Sequence, residues 1–452
     1  MKTTSKIILA SMLIFCLMTF SVMASGSQEE ATDSGSKKIV LTWWTWSLPT
    51  VEDFVVIKKG FEEKYPNIEL QTSVNQMDDY RTKLQAEFSS GAGPDIIGMQ
   101  PGSLLTQYNP FLMNLEGPAG DTLSKLVPAV VADAKKRSGG DSIKLAPLGS
   151  AATMFVYYNA TYFEQAGITK LPTDLESMKE VIAKLKATFP DKLPLTIGLK
   201  DSWFNGDVFS MFANMVEPGI TEKADNGEIK WNDPKFVKAM EILKSLVDEG
   251  IIEKEALGVS VYEDSIGMWA DGKAVMHING GWAVGMLSNP VNVNAEGKPY
   301  ADRRGGRATD NDVFGAFPVP NFAGGEPVVL GGIDMGLSLN KNLEKDPAKL
   351  DAALKLLDYM LVGDGRTYQT GKPGAGLIPS LQGASLNKSI YQDKASSDGV
   401  DAIVNATNNN MAGPRGVSNP AVFTQMGIVV QNVVAGNDIQ AELDSLQLVS
   451  EK

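Results

Sequence analysis

The chain has 452 residues, enough for two to four domains and a sizeable core. Apolar residues make up 43% and charged residues 21%, so it reads as a folded globular protein. A net charge of −13 repels phosphate backbones and argues against a nucleic-acid partner. One cysteine, Cys16, and one histidine, His277, exclude an internal disulfide, a thiolate metal cage and a His-rich zinc site.

The N-terminus carries an export signal. Lys2 and Lys6 precede an apolar run over 7–23 that ends in Val22-Met23-Ala24, a small-residue cleavage site. Residues 1–24 are therefore expected to be removed, and Cys16 with them. The alternatives are an uncleaved membrane anchor, or lipidation on Cys16, which Phe15 in front of it disfavours. All three place the protein outside the cytoplasm, in the periplasm or at the cell surface. Residues 25–38, rich in Ser, Gly and charge, read as a flexible tether.

The run Ile39-Val40-Leu41-Thr42-Trp43-Trp44-Thr45-Trp46 is β-branched and aromatic and predicts a buried strand. A helix over 53–65, a strand over 68–74, a helix over 80–90 and a short strand from Asp95 follow. This β-α-β-α-β order predicts a parallel sheet flanked by helices. Further on, Thr173 and Glu176 have capping-box spacing before a helix with Met178, Val181, Ile182 and Leu185 on one face. Asp233-Pro234 and Asp346-Pro347 each open another helix.

Catalytic patterns fall short. His277 lies in an apolar strand-like run and reads as structural. No Gly-x-Ser-x-Gly elbow and no Walker loop occurs. The acid-rich turns at 225–228 and 310–312 lack the full spacing of a calcium loop. The chain does hold seven tryptophans. A sugar ring presents a C–H face, which an indole can cover, and a rim of hydroxyls, which Asp, Asn and Gln can pair. Trp46 falls at the end of the first strand, where α/β sheets build ligand crevices. Trp203 and Trp282 fall in polar or glycine-rich turns, whereas Trp231 and Trp269 read as packing residues.

Several segments, in order, resemble the family 1 extracellular solute-binding proteins of bacterial ABC importers, the maltose-binding-protein group. They are Phe61-Glu62-Glu63-Lys64-Tyr65-Pro66-Asn67-Ile68, Gly93-Pro94-Asp95-Ile96-Ile97, Tyr157-Tyr158-Asn159 with Ala166-Gly167-Ile168, Asp271-Gly272-Lys273 with Gly281-Trp282, Phe317-Pro318-Val319-Pro320 and Gly331-Gly332. The resemblance implies an α/β, two-lobed type II periplasmic-binding-protein fold whose discontinuous lobes are joined by hinge strands. The N-terminal lobe would take 39–147 and 331–374, and the C-terminal lobe 148–330 and 375–452. Crossings are expected at 147–152, 328–332 and 374–378. It further implies a monomeric, non-enzymatic receptor without cofactor or metal, which hands a sugar or oligosaccharide to a membrane permease.

The ligand positions that this resemblance implies are Thr45, Trp46 and Ser47, Asn75 and Gln76, Met99 and Gln100, Trp203, Trp282, Gly332 and Asp334, and Arg415 in a late loop. The same fold with a polyol, sugar phosphate or peptide ligand, or a secreted polysaccharide-active enzyme, remains as an alternative.

Overall fold

The computed structural model describes residues 38–46, 51–287, 312–371, 375–409 and 411–452. The expected export signal, most of the expected tether and Ser47 lie outside the described residues. Two sheets organise the chain. The first strands are β1 (Ile39–Trp46), β2 (Ile68–Asn75), β3 (Ile96–Met99) and β4 (Ala146–Thr153). After them come β5 (Phe155–Asn159), β6 (Leu193–Thr196), β7 (Ala274–Asn279) and β8 (Phe314–Pro318). The last three are β9 (Val329–Leu339), β10 (Ile378–Pro379) and β11 (Met411–Pro414).

The larger sheet has seven strands in the order β10-β4-β9-β3-β1-β2, with β11 added alongside β9. The expected parallel β2-β1-β3 unit is present, in register from Ile39 opposite Ile68 to Trp46 opposite Asn75. β9 runs antiparallel to β3 and β4, so the sheet as a whole is mixed. β1 is buried where it alternates inward: Trp43 is fully buried and meets Phe54 of the Val51–Lys64 helix at 4.6 Å, while Trp44 on the other face is half-buried. Asp95 accepts from both the amide and hydroxyl of Thr42 at 2.8 Å and pairs with Lys349 at 2.9 Å. One carboxylate thereby joins β1, the entry to β3 and the Pro347–Leu361 helix.

The smaller sheet has four strands in the order β6-β7-β5-β8. The Lys394–Asn409 helix packs on β8, and the Ser202–Val216, Pro234–Asp248 and Pro420–Ala435 helices pack on one another beside it. Trp231 and Trp269 are core residues as expected, packed on Phe236 at 5.4 Å and on Phe314 at 4.2 Å. The Asp233 and Asp346 caps form as read, each accepting a backbone amide in the first turn ahead of a proline. The expected Thr173–Glu176 box is shifted by one residue. Asp174 is the N-cap and Ser177 its partner, because the carboxylate is the better acceptor and the Ser177 hydroxyl already takes the Thr173 and Asp174 amides.

The chain changes sheets at places offset from the crossings that the resemblance implies. β4 and β9 pair with each other from Ala146 opposite Leu337 to Thr153 opposite Leu330, and this ladder holds both in the larger sheet. The first change of sheet therefore falls at Met154, beyond the expected 147–152 crossing. The second falls between Pro318 and Val329, ahead of the expected 328–332 crossing. The third follows β10, whose Ile378 and Pro379 still pair with β4.

Candidate functional site

The larger sheet has a gap that makes a site. β9 is flanked on one side by β11, up to Gly331, and by β3, from Gly336 onward. Between those two ladders, residues 332–335 have no strand on that side among the described residues. β11 runs parallel to β9, so the residue after it, Arg415, arrives at the gap from one end. β3 runs antiparallel, so Gln100 arrives from the other. Both reach Asp334: Arg415 Nη1 donates to its Oδ1, and Gln100 Nε2 donates to the same atom at 3.4 Å. β1 has β2 on one side and β3 on the other, so the carboxyl ends of β1 and β3 open beside this gap at the strand-order switch, where an open α/β sheet leaves room for a ligand.

Around the gap lies a cavity lined by Trp46, Gln76, Met77, Gln100, Trp203, Tyr262, Trp282, Asp334 and Arg415. Seven of the twelve expected ligand residues are thus brought together. Its free volume is about 30 Å³, room for a few waters and too little for a saccharide. A larger groove of about 560 Å³ runs along the Val51–Lys64 helix and β2, but no expected ligand residue lines it. Its walls carry the exposed i,i+4 pairs Lys58–Glu62 and Lys59–Glu63.

The other expected positions fall elsewhere. Thr45 is fully buried beneath Gly98, where a β-carbon would lie 2.3 Å from its hydroxyl, so it belongs to the β1–β3 packing. Asn75 is held by Ser73 and Lys83 away from the cavity. Met99 is fully buried within β3. Gly332 faces Asp133 and Arg137 of the Pro128–Arg137 helix, with φ of +122°. Strand alternation and the β9 bulges turn these residues away from the gap.

Trp46 ends β1 and lies against Tyr80, with ring centroids 5.7 Å apart. Tyr80 is itself fixed by donating to the Gly98 carbonyl at 2.6 Å. Trp203 stands in the first turn of the Ser202–Val216 helix rather than in a loop, and it stacks on Tyr262 at 5.9 Å and 19°. Tyr262 rides on a π-helical turn, Val261–Ser265, that Asp201 pins by accepting from the Val261 amide at 2.7 Å. Burial pushes the Asp201 carboxyl above its ordinary value, and that hydrogen bond pulls it back. Sequence reasoning missed Tyr262, Met77 and Asp207. An aromatic inside a polar Tyr-Glu-Asp-Ser turn was the one available signal for Tyr262.

Trp282 sits in a 3-10 turn, Gly281–Leu287, after β7. Its indole lies so close to Gly280 that a β-carbon there would fall 2.2 Å from the ring. Only glycine allows that approach. The Gly280 peptide is held at both ends: its amide donates to Asn279 Oδ1 at 2.8 Å, and its carbonyl accepts from the Tyr157 hydroxyl at 2.7 Å. Asn279 Nδ2 contacts His277 Nε2 at 3.1 Å, and His277 Nδ1 contacts the Ser265 hydroxyl at 2.8 Å. His277 is thus a fully buried structural residue whose pKa burial pushes down to about 3.

Arg415 completes the site. Its guanidinium lies 4.1 Å from the centroid of the Trp282 ring and 5.9 Å from that of Trp203. Nε and Nη2 grip Asp207 of the Ser202–Val216 helix at 2.8–3.0 Å, and Nη1 holds Asp334 of β9. Both carboxylates are buried, at 1% and 4% side-chain exposure, against 13% for Arg415. Burial opposes the Arg415 charge, but the two carboxylates outweigh it and hold its pKa above the ordinary value. Burial also pushes the Asp207 carboxyl up, with Arg415 pulling the other way. A helix of the smaller-sheet half and a strand of the larger sheet therefore share one cation.

The profile of the bacterial extracellular solute-binding proteins matches residues 57–397. The chain belongs to that family. An uncharacterised ABC transporter extracellular-binding protein of Pyrococcus horikoshii is 25% identical over 418 residues, covering 86% of this chain and 85% of its own. A multiple sugar-binding protein of Streptococcus mutans is 22% identical over 354 residues, 76% of each chain. A chitin oligosaccharide binding protein of known structure superposes with a TM-score of 0.72 at 19% identity, covering 92% of this chain and 98% of that one. The family member described here thus has the two-lobed solute-binding fold, with the Arg415–Asp334 gap in its larger sheet, and works outside the cytoplasm.

Proposed function

We propose that the protein is the receptor of an ABC importer that captures a sugar or oligosaccharide and delivers it to a membrane permease. The observation that carries this is the convergence of Trp46, Trp203, Tyr262 and Trp282 with Gln76, Gln100 and Asp334 around one cavity. Flat aromatic faces cover the C–H faces of a sugar, and amides and a carboxylate pair its hydroxyls. With about 30 Å³ free, the site admits a saccharide only by opening and closing about the connections that leave β4 after Thr153 and enter β9 before Val329. The lobes follow the sheets, the larger-sheet lobe gaining the ends of β4 and β10, and the first 24 residues serve for export. The receptor acts as a monomer without catalysis or cofactor. In support, Asp334 is the one carboxylate lining the cavity among the described residues, with no second carboxylate across from it to make an acid–base pair.

Calorimetry of ligand-stripped protein against a panel of uncharged mono- and oligosaccharides tests the reading. A saturable heat with one of them supports it, and a folded sample that binds none overturns it. Mass spectrometry of whatever the purified protein retains gives an independent answer.

A further inference from the structure

Arg415 occupies a position that a ligand would have to take. Its flat guanidinium covers a face of Trp282 at 4.1 Å, and its N–H groups satisfy Asp207 and Asp334 on either side. We propose that Arg415 is a resident stand-in for the ligand on Trp282, which an incoming saccharide displaces, and that the site consequently takes uncharged or cationic sugars and rejects anionic ones. This rests on the saccharide-receptor reading above and adds to it the charge class of the ligand.

The argument is one of matching groups. The guanidinium offers the site a planar face and hydrogen-bond donors. A pyranose offers a C–H face to the indole and O–H donors to the carboxylates, and an amino sugar adds an ammonium donor. Each can replace the flat face and the donors that Arg415 provides, and the amino sugar its charge as well. A uronate or a sugar phosphate cannot. Displacing Arg415 would set a third negative charge beside two carboxylates that are almost wholly buried, where like charges are poorly screened.

Leaving Arg415 in place does not help an anion either, because its charge is already shared by two carboxylates. Of the other cations around it, Arg81 is turned to Ser103 at 3.4 Å and lies over Phe423 at 5.6 Å, and Lys200 stands by Asp201. Further acids, Asp78, Asp201 and Glu263, stand around the same end of the cleft. The free volume agrees: with the guanidinium on Trp282, about 30 Å³ remains, room for a few waters only.

The test is calorimetry on the full chain, comparing wild type, Arg415→Gln and Arg415→Lys. The probes are maltotriose, chitotriose, xylotriose and raffinose, with trigalacturonate and glucose 6-phosphate as anionic counterparts. Arg415→Lys keeps a cation between the carboxylates but loses the flat stack, which covers the case in which Arg415→Gln does not fold. The uncharged saccharide that binds wild type is expected to bind the variants at least tenfold more tightly, and neither anionic probe is expected to bind wild type. Equal or weaker binding by the folded variants overturns the proposal, as does wild-type binding of an anionic probe more tightly than any uncharged one. If no saccharide binds any form, the receptor reading falls and this one with it. Binding that is indifferent to Arg415 sinks this one alone.

Discussion

The hydroxyl of Tyr157 donates a 2.7 Å hydrogen bond to the carbonyl of Gly280, tying the interior of β5 to the peptide on which the Trp282 indole rests. Both groups are buried, so the bond has no water to replace it. Tyr157→Phe leaves that carbonyl unsatisfied and is expected to lower stability by ~1–3 kcal/mol. Gly280→Ala is expected to act on the site more than on the fold, because its β-carbon pushes the ring out of place. Thermal melts paired with saccharide titrations separate the two effects. Gly280→Ala with an unchanged ligand affinity would show that the position of Trp282 is immaterial to binding.

Trp203→Ala and Trp282→Ala are each expected to weaken saccharide binding by at least ~1 kcal/mol, about fivefold, if the rings stack on ligand. Trp43→Ala serves as the contrast. Its ring is fully buried against Phe54, so truncation is expected to cost about 3–5 kcal/mol of stability and to affect binding only through folding. Titration of the melt-corrected folded fraction distinguishes these outcomes.

Asp95→Ala removes two hydrogen bonds to Thr42 and the ion pair to Lys349. A buried carboxylate accepting charge-assisted bonds is worth about 1.5–3 kcal/mol per bond at most, and the loss is expected to fall near the middle of that range. Ligand affinity should be unchanged once the protein is folded, because Asp95 is at the far end of β3 from Gln100. Chemical denaturation and calorimetry together check this.

His277 makes stability depend on acid. Its folded pKa is pushed down to about 3, below the unfolded value of about 6.5, so the unfolded chain binds the proton first as pH falls. The contribution is complete above pH ~6.5 and is lost progressively between ~6.5 and ~3, by up to about 1.4 kcal/mol per pH unit. Melting temperature is therefore expected to drop on acidification from pH 7 to 4, and more steeply than in His277→Gln. Equal slopes for the two proteins would remove His277 as the cause.

Much of this protein can be read from local chemistry. The β2-β1-β3 unit follows from runs such as 39–46 and 68–74, because apolar alternation, proline and glycine act within a few residues of themselves. The same holds for the Asp233 and Asp346 caps and for Trp46 at the end of β1. The motifs that mark the family are local for the same reason. The sequence also named Trp203, Trp282, Asp334 and Arg415 as a set, without a geometry to join them.

That geometry came only from the tertiary structure, since it depends on strand order. Arg415 and Gln100 meet Asp334 because β11 runs parallel to β9 and β3 antiparallel, leaving a four-residue gap between them along that side of β9. No periodicity along the chain encodes that gap. Long-range pairing also moved the crossings outward, carrying β4 to Thr153 before the sheets change. It likewise withdrew Thr45 and Met99 into the core and brought in Tyr262 and Asp207. Whether a side chain faces a ligand or its own neighbours is decided by which strand lies next to it, and a hydrogen-bonded ladder between residues far apart in sequence makes that choice.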